Sequence, residues 1–293
     1  MDDDVTAHLR ATVQTLDNFL FQYEPLREMH WRVPPGSSLA GDDARTDPYQ
    51  VSHSAQHAIQ AAVDHLHCLR SSLTQYEDTE RMTLLLYSYG SSTLLRGALE
   101  NSARAVWLLA PTSRYERIRR RLALQNDDNR NHHNLRQLAA DANTLRPTAT
   151  GAALPEPRSE QDLYQDLVDR LLAAGGPHND PRELKKALRF PGYAEVVREA
   201  GRHLPGRIRN SAGASVDTSS YLEWVRRACS ALAHGDLKGS LAQLNREVQA
   251  IDGDLTSLRL TGSPGELHTR TELTWRAVST ATALYAQRSQ PPH

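Results

Sequence analysis

The segment LLRGALENSARAVW, residues 94–107, decides the fold class, because it is an alanine-rich helical run in which most positions are small or apolar. A helix that is apolar almost all round usually lies at the centre of a protein. Its charged residues Arg96, Glu100 and Arg104 are spaced i, i+4 and i+8 and therefore share one face. We expect this face to be at least partly buried, since little other polar surface surrounds it.

Helical periodicity continues along the chain on both sides of this segment, and alternating runs typical of strands are absent. The pattern predicts an all-α fold, an up-down helical bundle with additional helices. We expect one domain over residues 1–293, with loops at 33–49 and 146–160 and a flexible tail at 288–293. The later helices should complete a bundle begun by the first half, because the second half has fewer large apolar residues.

Composition excludes several classes of function. The 293 residues carry a formal net charge of −1, so no global basic field indicates nucleic acid. No apolar run approaches the ~20 residues of a membrane span, and the acidic start of the chain opposes a signal peptide. We expect a cytoplasmic protein without a membrane partner or cofactor, with Cys68 and Cys229 as small core residues in a reducing compartment.

A second decisive segment is RACSALAHG, residues 227–235. Arg227, Ser230 and His234 share one face of this helix, and Gly235 is a typical helix stop. His234 would then lie in the last turn, where the helix dipole favours a protonated imidazole. If the two decisive helices pack together, Glu100 should lie within salt-bridge or water-bridge reach of Arg227 or His234. The plainer alternative is a capping histidine with a structural hydrogen bond.

The spacing Arg227–x6–His234 at the end of a helix resembles the R-x(4–6)-H signature of HEPN (higher eukaryotes and prokaryotes nucleotide-binding) proteins. The resemblance implies a HEPN-like helical core and a metal-independent ribonuclease of a toxin or phage-defence type, usually a dimer. It also implies that Arg227 stabilises the phosphate while His234 transfers a proton. Glu100 would complete this catalytic set. Substrate-binding neighbours would be Arg96, Arg104 and Ser230.

A second resemblance covers residues 50–287. Segments 94–111, 116–122 and 230–235 are similar to a group of uncharacterised all-helical proteins from actinobacteria. This likeness implies a source and a fold, and it carries no established activity.

Two further clusters have alternative interpretations. Arg117, Arg120 and Arg121 share a helix face and are candidates for RNA phosphate contacts, or they form a solvated face with acidic partners. The histidines of segment 53–67 suit zinc by their one-turn spacing, yet no metal-binding motif supports such a site. We therefore assign them no metal and expect solvated or hydrogen-bonded rings.

Two classes of function follow. The first is an RNA-directed, metal-independent nuclease, and the second is a non-catalytic scaffold that binds a protein partner or a second copy of itself. The scaffold class predicts that Glu100, Arg227 and His234 only hold the bundle together. The nuclease class predicts that they open onto a shared basic groove.

Overall fold

The computed structural model describes residues 3–28, 31, 33–76, 82–142, 158–206, 208–209, 213–252 and 255–291. Within these ranges the chain forms eleven helices and three antiparallel pairs of short strands, so the predicted all-α class is confirmed. The helices are α1 (Asp3–Glu28), α2 (Ser38–Thr46), α3 (Val51–Ser72), α4 (Ser88–Leu109), α5 (Arg114–Asp141), α6 (Glu160–Ala173), α7 (Pro181–Ala187), α8 (Tyr193–Gly201), α9 (Thr218–Ala233), α10 (Leu237–Gln243) and α11 (Pro264–Ser289). The strands are β1 (Thr74–Tyr76), β2 (Met82–Leu84), β3 (Ile208–Arg209), β4 (Ser215–Val216), β5 (Asn245–Asp252) and β6 (Leu255–Thr261).

Local capping residues set the ends of the helices that matter most for the site. The Ser113 hydroxyl accepts from the Glu116 amide at 3.4 Å and begins α5. The Asp217 carboxylate accepts from the Ser220 amide at 2.9 Å and begins α9. After α9, Gly235 adopts a φ of 66°, a left-handed conformation that suits glycine at a helix end. The predicted stop at Gly235 is confirmed.

The chain divides into two compact units. The first comprises residues 1–32, 55–109 and 192–287, and in it α4 packs against α8 and α9. The apolar positions Leu95, Leu99 and Val106 of α4 are almost fully excluded from solvent. Helices from both halves of the sequence therefore complete this unit together, as expected.

The second unit comprises residues 33–54, 110–191 and 288–293. Here α5 packs against α2 and α6. Its apolar core joins α5 and α6 to α7. The buried members of that core are Ile118, Leu122, Leu167, Val168, Leu171, Leu184, Ala187 and Leu188. Whether the whole chain is one domain stays a prediction.

The expectation that helical periodicity continues without strands was wrong, most extensively at residues 245–252 and 255–261, where β5 and β6 form an antiparallel pair. In their antiparallel register Val248 lies opposite Leu258, and both side chains are exposed. The Asp252-Gly253 dipeptide is a strong hairpin signal that helical periodicity obscured.

Three smaller corrections concern loops, the tail and a cysteine. The predicted loop at 33–49 contains α2, because Ser37 caps it and Leu39 is buried. The predicted loop at 146–160 lies mostly outside the described residues. The predicted tail begins later than residue 288, since α11 continues to Ser289 and Arg288 donates to the Pro111 carbonyl at 3.0 Å. Of the two cysteines, Cys229 is buried but Cys68 is exposed.

Crossing a bilayer requires a long and continuously apolar helix, and none of the helices in the described ranges meets that requirement.

Candidate functional site

The carboxylate of Glu100 lies where α4 meets α9 and is bonded by two arginines. Its Oε1 accepts from Arg96 Nε at 3.1 Å, one turn earlier on α4, and from Arg226 Nε at 2.8 Å, on α9. The Glu100 side chain is only 14% exposed. Two guanidinium groups therefore face one carboxylate, which leaves a net positive charge at a partly buried position.

His234 joins this arrangement at the end of α9. Its Nε2 lies 3.1 Å from Nη1 of Arg96, and the residue itself is exposed. A guanidinium group only donates hydrogen bonds, so Nε2 accepts and the ring proton is assigned to Nδ1. The contact thus needs a neutral imidazole, whereas the helix dipole had led us to expect a protonated one. We call Arg96, Glu100, Arg226 and His234 the Glu100 cluster.

The Glu100 cluster retains unused hydrogen-bond donors. Glu100 takes only the Nε groups of Arg96 and Arg226. Within the described part of the chain, neither terminal nitrogen of Arg226 has a hydrogen-bond partner, and neither does Nη2 of Arg96. Planar guanidinium groups with free N–H donors match the geometry of a phosphate. The cluster can therefore bind an oxyanion next to an exposed imidazole.

Arg227 does not belong to this cluster, because the arginine of α9 that contacts Glu100 is its neighbour Arg226. Arg227 is 65% exposed, and its Nε donates to Glu223 Oε1 at 2.8 Å. Glu223 also accepts from Arg198 of α8 at 2.6 Å. Burial opposes ionisation of Glu223, but the hydrogen bonds from the two arginines outweigh it and lower the pKa of this carboxyl.

Among the described residues, the side chains of the predicted substrate-binding residues Arg104 and Ser230 make no hydrogen bond to the Glu100 cluster. Arg104 is half-buried and donates from Nη2 to the Asn101 side chain at 3.0 Å, while its Nε is buried without a partner in the described ranges. The Ser230 carbonyl accepts from the His234 amide at 3.1 Å. Arg104 thus turns toward its own helix, and Ser230 supports the helix end that carries His234.

Arg117 is buried and makes its hydrogen bonds within the second unit. Its Nε and Nη2 form a two-bond pair with the fully buried Asp42 at 2.6 and 3.0 Å. Its remaining N–H groups donate to the carbonyls of Pro111 and Thr112 and to the Ser38 hydroxyl. All five guanidinium N–H groups are therefore used inside the second unit, and no phosphate can reach them.

Arg120 and Arg121 are similarly engaged. Arg120 donates to Glu116 at 2.8 Å, and its side chain is only 11% exposed. Arg121 is buried and donates to the Gln125 side chain at 2.5 Å. Burial of Glu116 opposes its ionisation, yet the hydrogen bonds from Arg119 and Arg120 lower its pKa. The predicted basic face is thus largely an internal network of ion pairs and hydrogen bonds. Its arginines are less exposed to solvent than an RNA-binding face or a solvated face would require.

The histidines of α3 differ in exposure and in their contacts. His53 and His57 are exposed, whereas Nδ1 of His65 donates to the Ala61 carbonyl at 2.6 Å and the His65 ring covers Gly97. Among the described residues, no group of three or more histidine, cysteine or acidic side chains is close enough to hold a metal ion. His30 lies outside the described residues.

Sequence reasoning missed Arg226 and Asp42. Arg226 precedes His234 by eight residues, the same spacing that relates Arg96 to Arg104, and that repetition was an available signal. Asp42 stood in a predicted loop, so nothing local indicated a buried carboxylate. Only the packing of α2 against α5 reveals it.

Comparisons with known proteins add no relative. The chain matches no protein-family model, no curated protein and no solved structure. The resemblances to HEPN proteins and to actinobacterial helical proteins therefore stay predictions.

Proposed function

We propose that this protein is an RNA-directed, metal-independent phosphodiesterase with a HEPN-like core, in which His234 transfers the proton and Arg96 and Arg226 hold the phosphate. The observation that carries the proposal is the 3.1 Å contact between the exposed His234 ring and Arg96, within a cluster that keeps free N–H donors. The phosphate role moves from Arg227 to Arg226, because Arg227 is already paired with Glu223.

The proposed reaction needs two arginines to bind the phosphate, one histidine to take a proton, and water. The substrate phosphate accepts from Arg96 and Arg226, which releases the Nε2 lone pair of His234. That nitrogen takes the proton of the 2′-hydroxyl while the 2′ oxygen bonds to phosphorus and the bond to the 5′ oxygen breaks. The leaving oxygen takes a proton from water, and the hydroxide that remains takes the proton from His234, which restores the neutral imidazole. Glu100 acts as a positioning residue, because it fixes both guanidinium groups through their Nε atoms.

Cleavage of a labelled single-stranded RNA by the purified chain tests this function. Activity should survive EDTA and leave 2′,3′-cyclic phosphate ends, and His234→Ala should lower the rate roughly 100-fold. The matched control is His203→Ala, since His203 is also exposed and also follows a helix. Equal cleavage by wild type and His234→Ala would reject the proposal.

The arginine variants test the assignment within the cluster. Arg226→Ala should lose most of the activity, while Arg227→Ala should retain it, because only Arg226 contacts Glu100. If instead Arg227→Ala loses the activity and Arg226→Ala retains it, the phosphate role belongs to Arg227, as the resemblance to the R-x(4–6)-H signature implies. Circular dichroism of each variant checks that it remains folded.

A non-catalytic scaffold is the second candidate, and the paired state of Glu100 favours it. Its carboxylate ties α4 to α9 through Arg226 at 2.8 Å, and such a bridge stabilises the bundle whether or not a substrate binds. This function predicts that Glu100→Ala unfolds the protein more easily, while RNA is neither bound nor cleaved. A cytoplasmic location and a homodimer or protein partner are consistent with either proposal.

A further inference from the structure

A cavity of about 500 Å³ lies in the first unit, away from the residues of the Glu100 cluster. Its polar wall is one face of α3, which presents His57, Gln60, Asp64 and His67 at spacings of three, four and three residues. Tyr23 of α1 and Trp31 supply aromatic surface. This volume is in the range of sites that hold small molecules.

Both aromatic residues are fixed by contacts behind the cavity. The Tyr23 hydroxyl donates to the Val278 carbonyl at 3.2 Å and is bonded to the Thr282 hydroxyl. The Trp31 ring meets the Tyr285 ring edge-on, with centroids 4.8 Å apart and planes at 88°. The rings therefore form a preorganised surface.

Several polar groups on the cavity lack a partner in the described part of the chain. The buried indole Nε1 of Trp31 makes no hydrogen bond there, and a buried N–H group without an acceptor is costly. Asp64, Gln60 and His57 form no ion pair or hydrogen bond with other described side chains. These groups are available to a ligand.

The charge of the wall selects the class of ligand. Among the described lining residues, Asp64 is the only group that carries a full charge irrespective of histidine protonation, and no lysine or arginine lines the cavity. A carboxylate beside Trp and Tyr rings is the combination that binds organic cations, through ion pairing and cation–π attraction. The unpartnered indole N–H requires an acceptor on the same ligand.

We propose that this cavity binds a small organic ammonium ion whose apolar or aromatic body carries a hydrogen-bond acceptor. The ammonium group pairs with Asp64, the body contacts Tyr23 and Trp31, and the acceptor takes the indole N–H of Trp31. A neutral His57 imidazole can accept a further ammonium hydrogen. This binding does not depend on the proposed nuclease activity.

Four matched probes test the proposal by isothermal titration calorimetry on the full chain. Tyramine carries the ammonium group and an acceptor, phenethylamine lacks the acceptor, 2-phenylethanol lacks the charge, and 3-phenylpropionate reverses it. We expect tyramine to bind best, phenethylamine more weakly, 2-phenylethanol about tenfold more weakly than phenethylamine, and 3-phenylpropionate not at all.

Three variants assign the effect to residues. Asp64→Asn should weaken tyramine about tenfold, and Trp31→Phe should remove the difference between tyramine and phenethylamine. Glu195→Gln, which removes an exposed charge elsewhere in the same unit, should change neither affinity. The proposal is overturned if neither amine gives binding heat, if 2-phenylethanol or 3-phenylpropionate binds as well as the amines, or if Asp64→Asn leaves tyramine binding unchanged.

Discussion

The carboxylate of Asp42 shows how much one residue can contribute. It is fully buried and pairs with Arg117 at 2.6 Å and Arg114 at 3.3 Å. We expect Asp42→Ala to lower the free energy of unfolding by about 3–5 kcal/mol, because it leaves the buried Arg117 charge without a counter-ion. Urea unfolding followed by circular dichroism measures this loss.

A surface acid provides the control for Asp42. Glu183 is 56% exposed and lies 3.8 Å from His178. Exposed pairs of this kind contribute at most about 1 kcal/mol, so Glu183→Ala should be close to neutral. If both variants lose the same small amount, Asp42 does not balance Arg117 as the structure indicates.

Single-residue patterns predicted some of the site and not the rest. The placement of Glu100 and His234 near one another could be inferred, because each lies on an alanine-rich helix that must be buried. The choice between Arg226 and Arg227 could not, since they differ by only 100° around α9. Arg198 on α8 completes the pairing of Glu223 and thereby keeps Arg227 elsewhere, and no local pattern in α9 reports that neighbour.

At the scale of helices, the contact between α3 and α4 depends on Gly97. A Cβ atom at this position would overlap the His65 ring, although alanine is normally favoured over glycine in a helix by about 1 kcal/mol. We therefore expect Gly97→Ala to destabilise the protein by about 1–3 kcal/mol, the usual cost of overpacking. Thermal or urea unfolding of the variant and the wild type shows directly whether the substitution lowers or raises stability.

Gly90 offers a control within the same helix. A Cβ atom there would meet only the Tyr87 Cβ at 3.5 Å, an ordinary contact, and Gly90 is exposed. Gly90→Ala should be neutral or stabilising by up to about 1 kcal/mol. The double variant His65→Ala with Gly97→Ala should recover stability relative to Gly97→Ala alone. A stabilising single Gly97→Ala would contradict the packing.

The helix ends that are easiest to predict from the sequence are those with a capping residue or a glycine at the end itself. Gly235 marks the end of α9 by its own chemistry, so this limit could be predicted, and Ser113 and Asp217 mark the starts of α5 and α9 in the same local way. The β5–β6 hairpin was missed because its apolar residues are also compatible with a helix over a short window. Val248 and Leu258 are both exposed, so at these two described positions burial does not enforce either choice.

At the scale of the whole molecule, acidic groups in both units link stability to pH. Burial opposes ionisation of Glu223, Glu116 and Asp166, but arginine hydrogen bonds outweigh it and lower each pKa. A lowered pKa in the folded state means that the unfolded chain binds protons first as the pH falls. These groups therefore stabilise the fold fully above about pH 5, and the contribution is lost as the pH falls through their folded pKa values.

Substitution at Glu223 tests how much of the stability loss at acidic pH comes from this one carboxylate. Glu223→Gln should lower stability at pH 7, where the carboxylate accepts from Arg198 and Arg227, and should reduce the further loss between about pH 5 and pH 3. Arg227→Ala should act differently, because removing a donor raises the Glu223 pKa and moves the onset of the loss to higher pH. Urea unfolding at half-unit pH steps measures both effects. If Glu223→Gln loses as much stability between about pH 5 and pH 3 as wild type does, Glu223 makes no measurable contribution to that loss. The loss would then come from Glu116 and Asp166 in the second unit.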